Sequence, residues 1–260
     1  AHTFIIKNDG RVWGCGSNYT GELGLGNKNN QKTTFNQVTS AGTDVKQIVC
    51  SGLDDAEYSE GYTVILKYDG SVWGCGRNNN GQLGLGNTTD QTSFKKLTTS
   101  VNYDVKQIAC GYNHTFILKN DGSIWGCGLN NNGQLGLGDG NPRTTLTKVT
   151  TNVNNDVKQV ACGESYTIIL KNDGSVWSSG YNYNGQLGLN NTTQSLTFTR
   201  ATTNVNYDVN QISCGDNHTF ILKNDDSVWS CGKNDYGQLG INSSGTNAYS
   251  PKFNKLARGF

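Results

Sequence analysis

Three histidines are the side chains of this sequence best suited to acid–base chemistry, because imidazole titrates near neutral pH. They are His2, His114 and His218, and each stands eleven residues before a tryptophan. Tyr62 and Tyr166 occupy the same position before two other tryptophans. A position that accepts either His or Tyr is typical of a structural hydrogen-bonding group. We therefore predict no catalytic residue among the histidines.

The eight cysteines could bind a metal or form disulfides, and they fall into two positions of a repeat. No C-x-x-C spacing occurs, which argues against a zinc site. Ser179 replaces one cysteine of the first position, so Cys162 would lack a disulfide partner. We interpret the cysteines as buried thiols that behave as small apolar groups. This favours a reducing, cytoplasmic compartment, with a cell or virion surface as the alternative. The two sets are Cys15, Cys75, Cys127 and Cys231, and Cys50, Cys110, Cys162 and Cys214.

Glycine-rich strings such as Gly14-Cys15-Gly16 resemble phosphate-binding loops only superficially. They follow a predicted strand but open no helix, so the helix N-terminus that would bind the anion is missing. We predict no cofactor, no metal and no enzymatic activity, since no nucleophile–base pair is evident either.

These residues are positioned by a repeat. Five tryptophans mark it, and the last four are spaced by 52 residues, whereas the first precedes the second by 60. Each lies in a version of H/Y-T-x-I-[IL]-K-x-D-G-S-V-W-[GS]-[CS]-G, followed by an Asn-rich loop ending in G-[EQ]-L-G. A Thr-rich segment and the sequence D-V-[KN]-Q-[IV]-x-C complete the repeat. The repeats are centred on Trp13, Trp73, Trp125, Trp177 and Trp229.

Each repeat predicts four short strands, because runs of β-branched and aromatic residues alternate with turn residues. Lys-x-Asp-Gly predicts a hairpin turn, in which Gly accepts positive φ. Asp226 replaces that Gly in one copy, which we expect to be a small strain. Almost no helix is expected. Small antiparallel sheets stacked radially form a β-propeller, with each Trp filling the gap between neighbouring blades.

The string W-G-x-G-x-N-x-x-G-Q-L-G, with C-G-x-x-H-T upstream, resembles the regulator of chromosome condensation repeat. Copies stand at 125–136 and 110–115, and degenerate copies cover nearly the whole chain. The resemblance implies an all-β propeller that acts as a docking surface. Propellers of this family typically have seven blades, so five repeats are a departure.

The first repeat is incomplete. The sequence opens at Ala1-His2, inside C-G-x-x-H-T, and ends at Phe260 before a fifth D-V-K-Q segment. We therefore expect nineteen strands in one domain, residues 1–260, with one blade incomplete or closed by both termini. One interpretation is that the 260 residues are part of a longer array.

The charge balance excludes several classes of partner. With 21 basic and 20 acidic residues the net charge is +1, so no basic surface for nucleic acid is expected. No apolar run is long enough to insert into a membrane. We predict that charges pair within each repeat, for example Lys119 with Asp121 and Lys171 with Asp173.

Variation within the repeat identifies the candidate binding residues. The first and third positions of the Asn-rich loop differ from copy to copy and include Tyr and Asn, which suit recognition loops. An insertion of eight residues before Tyr62 is acidic, and we regard it as a contact loop, a cation site or a tolerated insertion. Neutral variation is the alternative for the loops. The candidate residues are Ser17, Tyr19, Arg77, Asn79, Leu129, Asn131, Tyr181, Tyr183, Lys233 and Asp235, with Asp54, Asp55, Glu57 and Glu60 in the insertion.

The predicted function is a non-catalytic scaffold that presents these loops to a protein partner. One alternative is a bacterial or phage surface adhesin, for which a glycan is a possible ligand. Another, implied by the family resemblance, is a guanine-nucleotide exchange factor for a small GTPase. The ultraviolet photoreceptors of the family carry C-G-W-R-H-T, and neither Trp nor Arg stands at 112–113, 164–165 or 216–217.

Overall fold

The computed structural model describes residues 1–29, 31–52, 61–97, 104–242, 245 and 247–256. Within these ranges the chain forms nineteen β-strands and one short 3₁₀ helix, Thr39–Ala41. The predicted all-β fold and strand number are confirmed for this part of the chain. The acidic insertion with Asp54, Asp55, Glu57 and Glu60 lies outside the described residues.

The strands form five antiparallel sheets, and only the first has three strands instead of four. Its missing strand is the D-V-K-Q strand, as the incomplete first repeat predicts. The five sheets are β1 His2–Ile6, β2 Val12–Gly16 and β3 Lys32–Gln37; β4 Val45–Gly52, β5 Gly61–Lys67, β6 Val72–Gly76 and β7 Gln91–Lys96; β8 Val105–Cys110, β9 His114–Lys119, β10 Ile124–Gly128 and β11 Arg143–Lys148; β12 Val157–Cys162, β13 Tyr166–Lys171, β14 Val176–Gly180 and β15 Ser195–Arg200; and β16 Val209–Cys214, β17 His218–Lys223, β18 Val228–Lys233 and β19 Tyr249–Lys255.

The Lys-x-Asp-Gly hairpin turns form as predicted. In the second sheet the Lys67 N–H donates to the carbonyl of Ser71 at 2.9 Å, and the Gly70 N–H donates back to Lys67 at 3.0 Å. Gly70 has φ of 80° and Asp226, its counterpart in the fifth sheet, has φ of 60°. The turn therefore tolerates Asp226, as the sequence indicates.

The chain divides into two compact units. The first comprises Ala1–Asn120, Trp125–Leu129 and Pro142–Thr147. Its core consists of one layer between the first and second sheets and one between the second and third. Ile65, Cys75 and Phe94 of the second sheet pack against Val12 and Val38 of the first. Trp73 borders this layer instead of filling its centre.

The second unit comprises Asp121–Ile124, Asn130–Asn141 and Lys148–Phe260. It repeats the same packing: Ile221, Cys231 and Phe253 of the fifth sheet contact Tyr166 and Ile168 of the fourth, among other apolar side chains. Trp229 again lies at the border. The prediction that each Trp fills the gap between neighbouring sheets is thus correct only in part, because Trp73, Trp125 and Trp229 lie at the edges of these layers.

The lysine at the end of each second strand pairs differently from expectation. Lys171 lies 3.1 Å from Asp156, the aspartate that precedes β12. The predicted partner, Asp173, instead accepts hydrogen bonds from the backbone N–H and hydroxyl of Ser175 at 2.9 and 2.6 Å. Pairing of β12 with β13 places Val157 opposite Lys171, so the preceding Asp156 reaches the ammonium group. Lys119 likewise has Asp104 at 3.2 Å.

Candidate functional site

The candidate recognition loops begin at the glycine that ends each tryptophan strand. Gly76 has φ of 95°, a conformation that L side chains rarely adopt. A Cβ there would also lie 2.5 Å from the carbonyl oxygen of Gly61. Glycine therefore allows the chain to turn sharply out of the strand and into the loop.

A buried asparagine then holds each loop from inside. The Asn78 Oδ1 accepts from the N–H of Leu83 at 2.9 Å, while its Nδ2 donates to the carbonyls of Asn87 and Thr89 at 3.0 and 3.1 Å. The Asn78 side chain thus supplies hydrogen-bond partners to backbone N–H and C=O groups that would be paired with another strand in a regular sheet. This role was not predicted, although the same Asn stands at the second loop position in all five copies. The equivalent residues are Asn18, Asn130, Asn182 and Asn234.

The glutamine of G-Q-L-G provides a second fixed point. The Gln186 Oε1 accepts from the backbone N–H of Asn184 at 3.1 Å, and its Nε2 donates to the Oδ1 of Asn217 at 3.0 Å. The first copy has Glu22 in this position, fully buried. Its carboxylate accepts from the N–H and hydroxyl of Thr20 at 2.8 and 2.7 Å and from the hydroxyl of Ser17.

Ser17 is therefore a correction to the predicted binding set. Its side chain is buried beside Glu22 instead of facing solvent. The buried carboxylate needs hydrogen-bond donors, and Ser17 supplies one of them. Ser17 is 5% exposed and offers little surface to a partner, unlike Tyr181 at the same loop position, which is half-buried.

Arg77 joins two loops of the first unit. Its Nη1 donates to the hydroxyl of Tyr112 at 3.0 Å, and the guanidinium carbon lies 5.7 Å from the centroid of that ring. Asn79, two residues further, is exposed. Arg77 is half-buried, so the two side chains present a polar, partly aromatic surface at the ends of β6 and β8.

Tyr181 and Tyr183 form a pair in the second unit, with ring centroids 4.8 Å apart. Tyr183 is 63% exposed, while Tyr181 is half-buried. The Tyr181 N–H donates to the carbonyl of Ser165 at 3.0 Å. Next to Ser165 is Glu164, whose carboxylate accepts from Asn217 at 2.8 Å. The structure thus brings two predicted tyrosines together, and the backbone partner of Tyr181 is next in sequence to Glu164, which was not among the predicted residues.

The remaining candidates are less concentrated. Lys233 and Asp235 form an ion pair of 3.2 Å, so both charges of this loop are partly neutralised. Tyr19 and Asn131 are exposed, and Leu129 is half-buried. These side chains are at least partly accessible, and the Lys233–Asp235 ion pair is the one contact that the structure gives between them.

The position shared by His and Tyr is structural, as predicted. The Tyr62 hydroxyl donates to the carbonyl of His114, 2.6 Å away in the next sheet, and Tyr166 does the same to His218 at 2.6 Å. The His2 Nε2 lies 2.8 Å from the Thr63 hydroxyl, again in the next sheet. Both residue types therefore serve as polar links between consecutive sheets.

The prediction that the cysteines are buried holds for three of the four that follow a tryptophan, whereas Cys15 is partly buried and, in the second set, Cys50 is exposed. Cys75, Cys127 and Cys231 are inaccessible, and the Cys127 thiol donates to the carbonyl of Gln82 at 3.5 Å. Ser179, in the equivalent position, donates to the carbonyl of Gly133 at 3.0 Å. In the second set, burial raises the pKa of the Cys110 thiol to about 12, which keeps it protonated. All eight cysteines are free thiols.

The described ranges contain neither a metal-binding cluster nor a membrane-spanning helix. No group of three or more His, Cys, Asp or Glu side chains there is arranged to hold a metal ion. No helix in the same ranges has the length and hydropathy needed to span a membrane.

Comparison with known proteins places this chain among curated relatives that are mostly much longer. It is 32% identical over 243 residues to the Ultraviolet-B receptor UVR8 of Arabidopsis thaliana, covering 92% of the chain and 53% of the receptor. It is 28% identical over 295 residues to the X-linked retinitis pigmentosa GTPase regulator of Homo sapiens, covering 92% and 28%. The chain thus spans about half the length of these relatives or less.

Solved structures show the same fold. The yeast RCC1 (Prp20) bound to Kap60 superposes with a TM-score of 0.82 at 22% identity, covering 99% of this chain and 62% of the other. Human WBSCR16 gives 0.82 at 24% identity, covering 99% and 65%. The family model described as the RCC1-like domain matches residues 1–258. The chain therefore belongs to the RCC1-like domain family and has its all-β propeller fold, with the five sheets as blades.

Proposed function

We propose that this chain is a non-catalytic protein-binding scaffold that contacts its partner through the loops after the tryptophan strands. One observation carries the proposal: every such loop is held from inside by a buried asparagine, while the side chains on either side of it vary and mostly reach solvent. A fixed backbone with varied exposed side chains lowers the entropy lost on binding.

The tyrosine pair is the part of this surface best suited to a protein partner. Tyrosine offers a large amphipathic contact area with few rotatable bonds, which makes it frequent among residues that dominate interface energies. Tyr181 and Tyr183 already contact each other, so little ordering is needed when a partner covers them. The carboxylate of Glu164 lies in the segment that borders Tyr181 and supplies a polar rim.

The proposal is tested by affinity capture with the purified chain, followed by mass spectrometry and direct titration of each captured protein. The Tyr181→Ala/Tyr183→Ala variant is expected to weaken binding at least tenfold, since interface tyrosines commonly contribute more than about 1.4 kcal/mol. Tyr68→Ala is the matched control, because Tyr68 is exposed but lies in a Lys-x-Asp-Gly turn at the other end of its strand. Equal binding by all three proteins would refute this use of the loops.

The acidic insertion is a second part of the proposed surface. Its ends are anchored by the pairing of Ser51 with Tyr62 and of Gly52 with Gly61. The described residues on either side of it are the last residue of β4 and the first of β5. A charge-reversed variant, Asp54→Lys/Asp55→Lys/Glu57→Lys, is expected to lose partners whose contact surface is basic. Undiminished capture by this variant would exclude the insertion.

A small GTPase is the second candidate partner, because one relative is named as a GTPase regulator. Exchange activity would require mechanical displacement of the nucleotide by a loop and no covalent chemistry. Release of a fluorescent nucleotide from a panel of small GTPases tests this directly. An absence of acceleration across the panel would exclude exchange while leaving the scaffold proposal intact.

A further inference from the structure

In the first unit, the loop after β6 contacts the segment that joins β8 to β9 through a cation and an aromatic ring. Arg77 is the first residue of that loop, and its guanidinium donates to the Tyr112 hydroxyl at 3.0 Å and lies over the ring. Arg200 uses the same chemistry in the second unit, where its guanidinium carbon lies 4.0 Å from the centroid of the Tyr207 ring. The chain thus twice places a guanidinium group over a tyrosine.

The positions equivalent to Arg77 and Tyr112 in the fourth and fifth sheets are Tyr181, which follows β14, and Asp216, which lies between β16 and β17. One backbone dipeptide holds both of them. The Ser165 carbonyl accepts from the Tyr181 N–H at 3.0 Å, and the N–H of the preceding Glu164 donates to the Asp216 carbonyl at 3.0 Å. All four residues belong to the second unit, so this arrangement brings aromatic and acidic side chains to the same group of loops.

The two carboxylates of this group have no cationic partner among the described residues. Asp216 is exposed, and Glu164 is half-buried with one oxygen, Oε2, accepting from the Asn217 amide at 2.8 Å. The backbone N–H of Lys233 donates to the Asn217 carbonyl at 2.8 Å, but its ammonium group pairs with Asp235 at 3.2 Å. Two negative charges therefore remain uncompensated in these loops.

The tyrosine pair supplies the aromatic part of the group. The centroids of Tyr181 and Tyr183 lie 4.8 Å apart, and the two ring planes are inclined by 48°. The rings therefore meet at an angle and do not cover each other face to face. Because Tyr183 is 63% exposed, its ring is accessible to a planar group from outside the chain.

Exposed tyrosine rings and uncompensated carboxylates on adjoining loops have the chemistry that binds a guanidinium group. The face of an aromatic ring attracts a cation, and a carboxylate can accept two parallel N–H bonds from arginine. A guanidinium is planar and more weakly hydrated than an ammonium group, so it stacks on a ring at a lower cost in lost hydration. These properties favour arginine over lysine, and a cation over a neutral or anionic group.

We propose that these loops bind an arginine side chain of the protein partner. The partner then supplies in the second unit the guanidinium that Arg77 supplies in the first. The plane of the guanidinium lies on the Tyr183 ring, and its N–H groups donate to Asp216 and to the Glu164 oxygen that Asn217 leaves open. This inference rests on the scaffold function proposed above and names the chemical group that the scaffold recognises. The binding residues are Glu164, Tyr181, Tyr183 and Asp216.

Nuclear magnetic resonance titration of the ¹⁵N-labelled chain with Nα-acetyl-arginine amide tests the site at constant ionic strength. The backbone signals of the four binding residues are expected to shift, with a Kd of about 5 mM or below. Nα-acetyl-citrulline amide has nearly the same shape without the charge and should cause no shift, and Nα-acetyl-lysine amide should bind at least threefold more weakly. About 50 mM ligand would occupy roughly nine-tenths of such a site, so unchanged signals at that concentration would overturn the proposal. Equal binding of citrulline or lysine would overturn it as well.

Isosteric variants assign the binding to these side chains. Asp216→Asn and Glu164→Gln each remove one charge at nearly unchanged shape, and Tyr183→Leu removes the ring, so each should weaken arginine binding at least threefold. Asp226→Asn is the matched control: it changes the net charge equally at an exposed residue of the same sheet, in the turn after β17. It should bind like the wild type. Equal weakening by Asp216→Asn and Asp226→Asn would show that net charge alone attracts the ligand, and full binding by Tyr183→Leu would show that the ring is not used. Either result contradicts the proposal.

Competition with a captured partner separates this inference from the scaffold proposal. A partner that the Tyr181→Ala/Tyr183→Ala variant loses should be displaced by about 50 mM Nα-acetyl-arginine amide and retained in the same concentration of the citrulline amide. If the arginine amide shifts the four residues but displaces no such partner, the partner binds by other contacts, so the inference is wrong while the scaffold proposal stands. A tyrosine variant that loses no partner would refute the scaffold proposal, and with it the partner's arginine.

Discussion

The ammonium group of Lys171 lies 3.1 Å from the carboxylate of Asp156 and 4.4 Å from the centroid of the Trp177 ring. The lysine side chain is 7% exposed, so this cation is held by an anion and an aromatic face with little water. The same arrangement recurs in other sheets. It joins Lys67 to Asp44 and Trp73, and Lys223 to Asp208 and Trp229.

The loss of stability on replacing this lysine is expected to depend on whether its ammonium group has a carboxylate partner as well as the tryptophan ring. Lys171→Met should lower the free energy of unfolding by about 1–2 kcal/mol, because a partly buried ion pair and a cation–π contact are lost. Lys7→Met is the matched control: Lys7 lies 4.5 Å over Trp13, but it is exposed and no carboxylate among the described residues pairs with it. It should change stability by less than about 0.5 kcal/mol. Urea denaturation measures both, and equal effects would contradict the role of Asp156.

In some hairpin turns the glycine lies against a backbone carbonyl that precedes the next D-V-K-Q strand, which leaves no room for a Cβ. A Cβ at Gly174 would collide with the carbonyl of Tyr207, and one at Gly122 with that of Asn155. Gly174 also has φ of 82°. Asp226 occupies the equivalent position in the fifth sheet, with φ of 60°.

Opposite effects are therefore expected at equivalent positions. Gly174→Asp should cost at least about 2 kcal/mol, because both the backbone conformation and the collision oppose a side chain. Asp226→Gly should stabilise slightly, by about 0.5 kcal/mol, since only the left-handed conformation is relieved while glycine adds entropy to the unfolded chain. Thermal unfolding followed by circular dichroism measures both changes. A tolerated Gly174→Asp would contradict the crowding.

The strands and turns could be predicted from the sequence because they depend on local patterns. The alternation in His114–Lys119 and the turn at 119–122 recur five times, and each repetition tests the same assignment. The missing strand of the first sheet was equally visible, since the D-V-K-Q segment is absent before His2. The role of Cys127 as a buried thiol followed from its exchange with Ser in another repeat.

The site was less predictable because the exposure and the pairing of its side chains depend on contacts formed only in the folded chain. Ser17 occupies a variable loop position, but the charge of Glu22, five residues away, draws it inward. The partner of Lys171 lies fifteen residues earlier in the sequence, immediately before β12, which comes close only by pairing with β13. Neither contact is marked by a recurring sequence motif. Lys171 and Asp173, in contrast, stand two residues apart in the repeated K-x-D motif, and for this reason the sequence predicted the wrong partner for Lys171.

The buried asparagines are expected to dominate loop stability. Asn182→Ala removes the acceptor for the Leu187 N–H and the donor to the carbonyls of Asn191 and Thr193, each at 3.0 Å. Leaving buried polar groups without partners should cost about 2–4 kcal/mol. Asn184→Ala, in the same loop, alters a side chain that is partly exposed and should be nearly neutral. Denaturant unfolding compares the two, and similar losses would show that Asn182 does not hold the loop.

The stability of the fifth sheet is expected to depend on pH through His218. Burial lowers the pKa of this imidazole, while the charge of Asp216 partly raises it. Because the folded-state pKa is below the unfolded value of about 6.5, the unfolded chain binds more protons in this range. Stability must therefore fall as pH drops below about 6.5.

A tyrosine tests this prediction, since Tyr62 and Tyr166 occupy the equivalent position in other sheets. His218→Tyr should lose less stability than the wild type between pH 7.5 and 5.5, because tyrosine does not titrate there. Asp216→Asn should lose more, because removing the carboxylate lowers the pKa of His218 further. Urea midpoints at the two pH values measure the difference. If all three proteins show the same acid dependence, His218 is not its source.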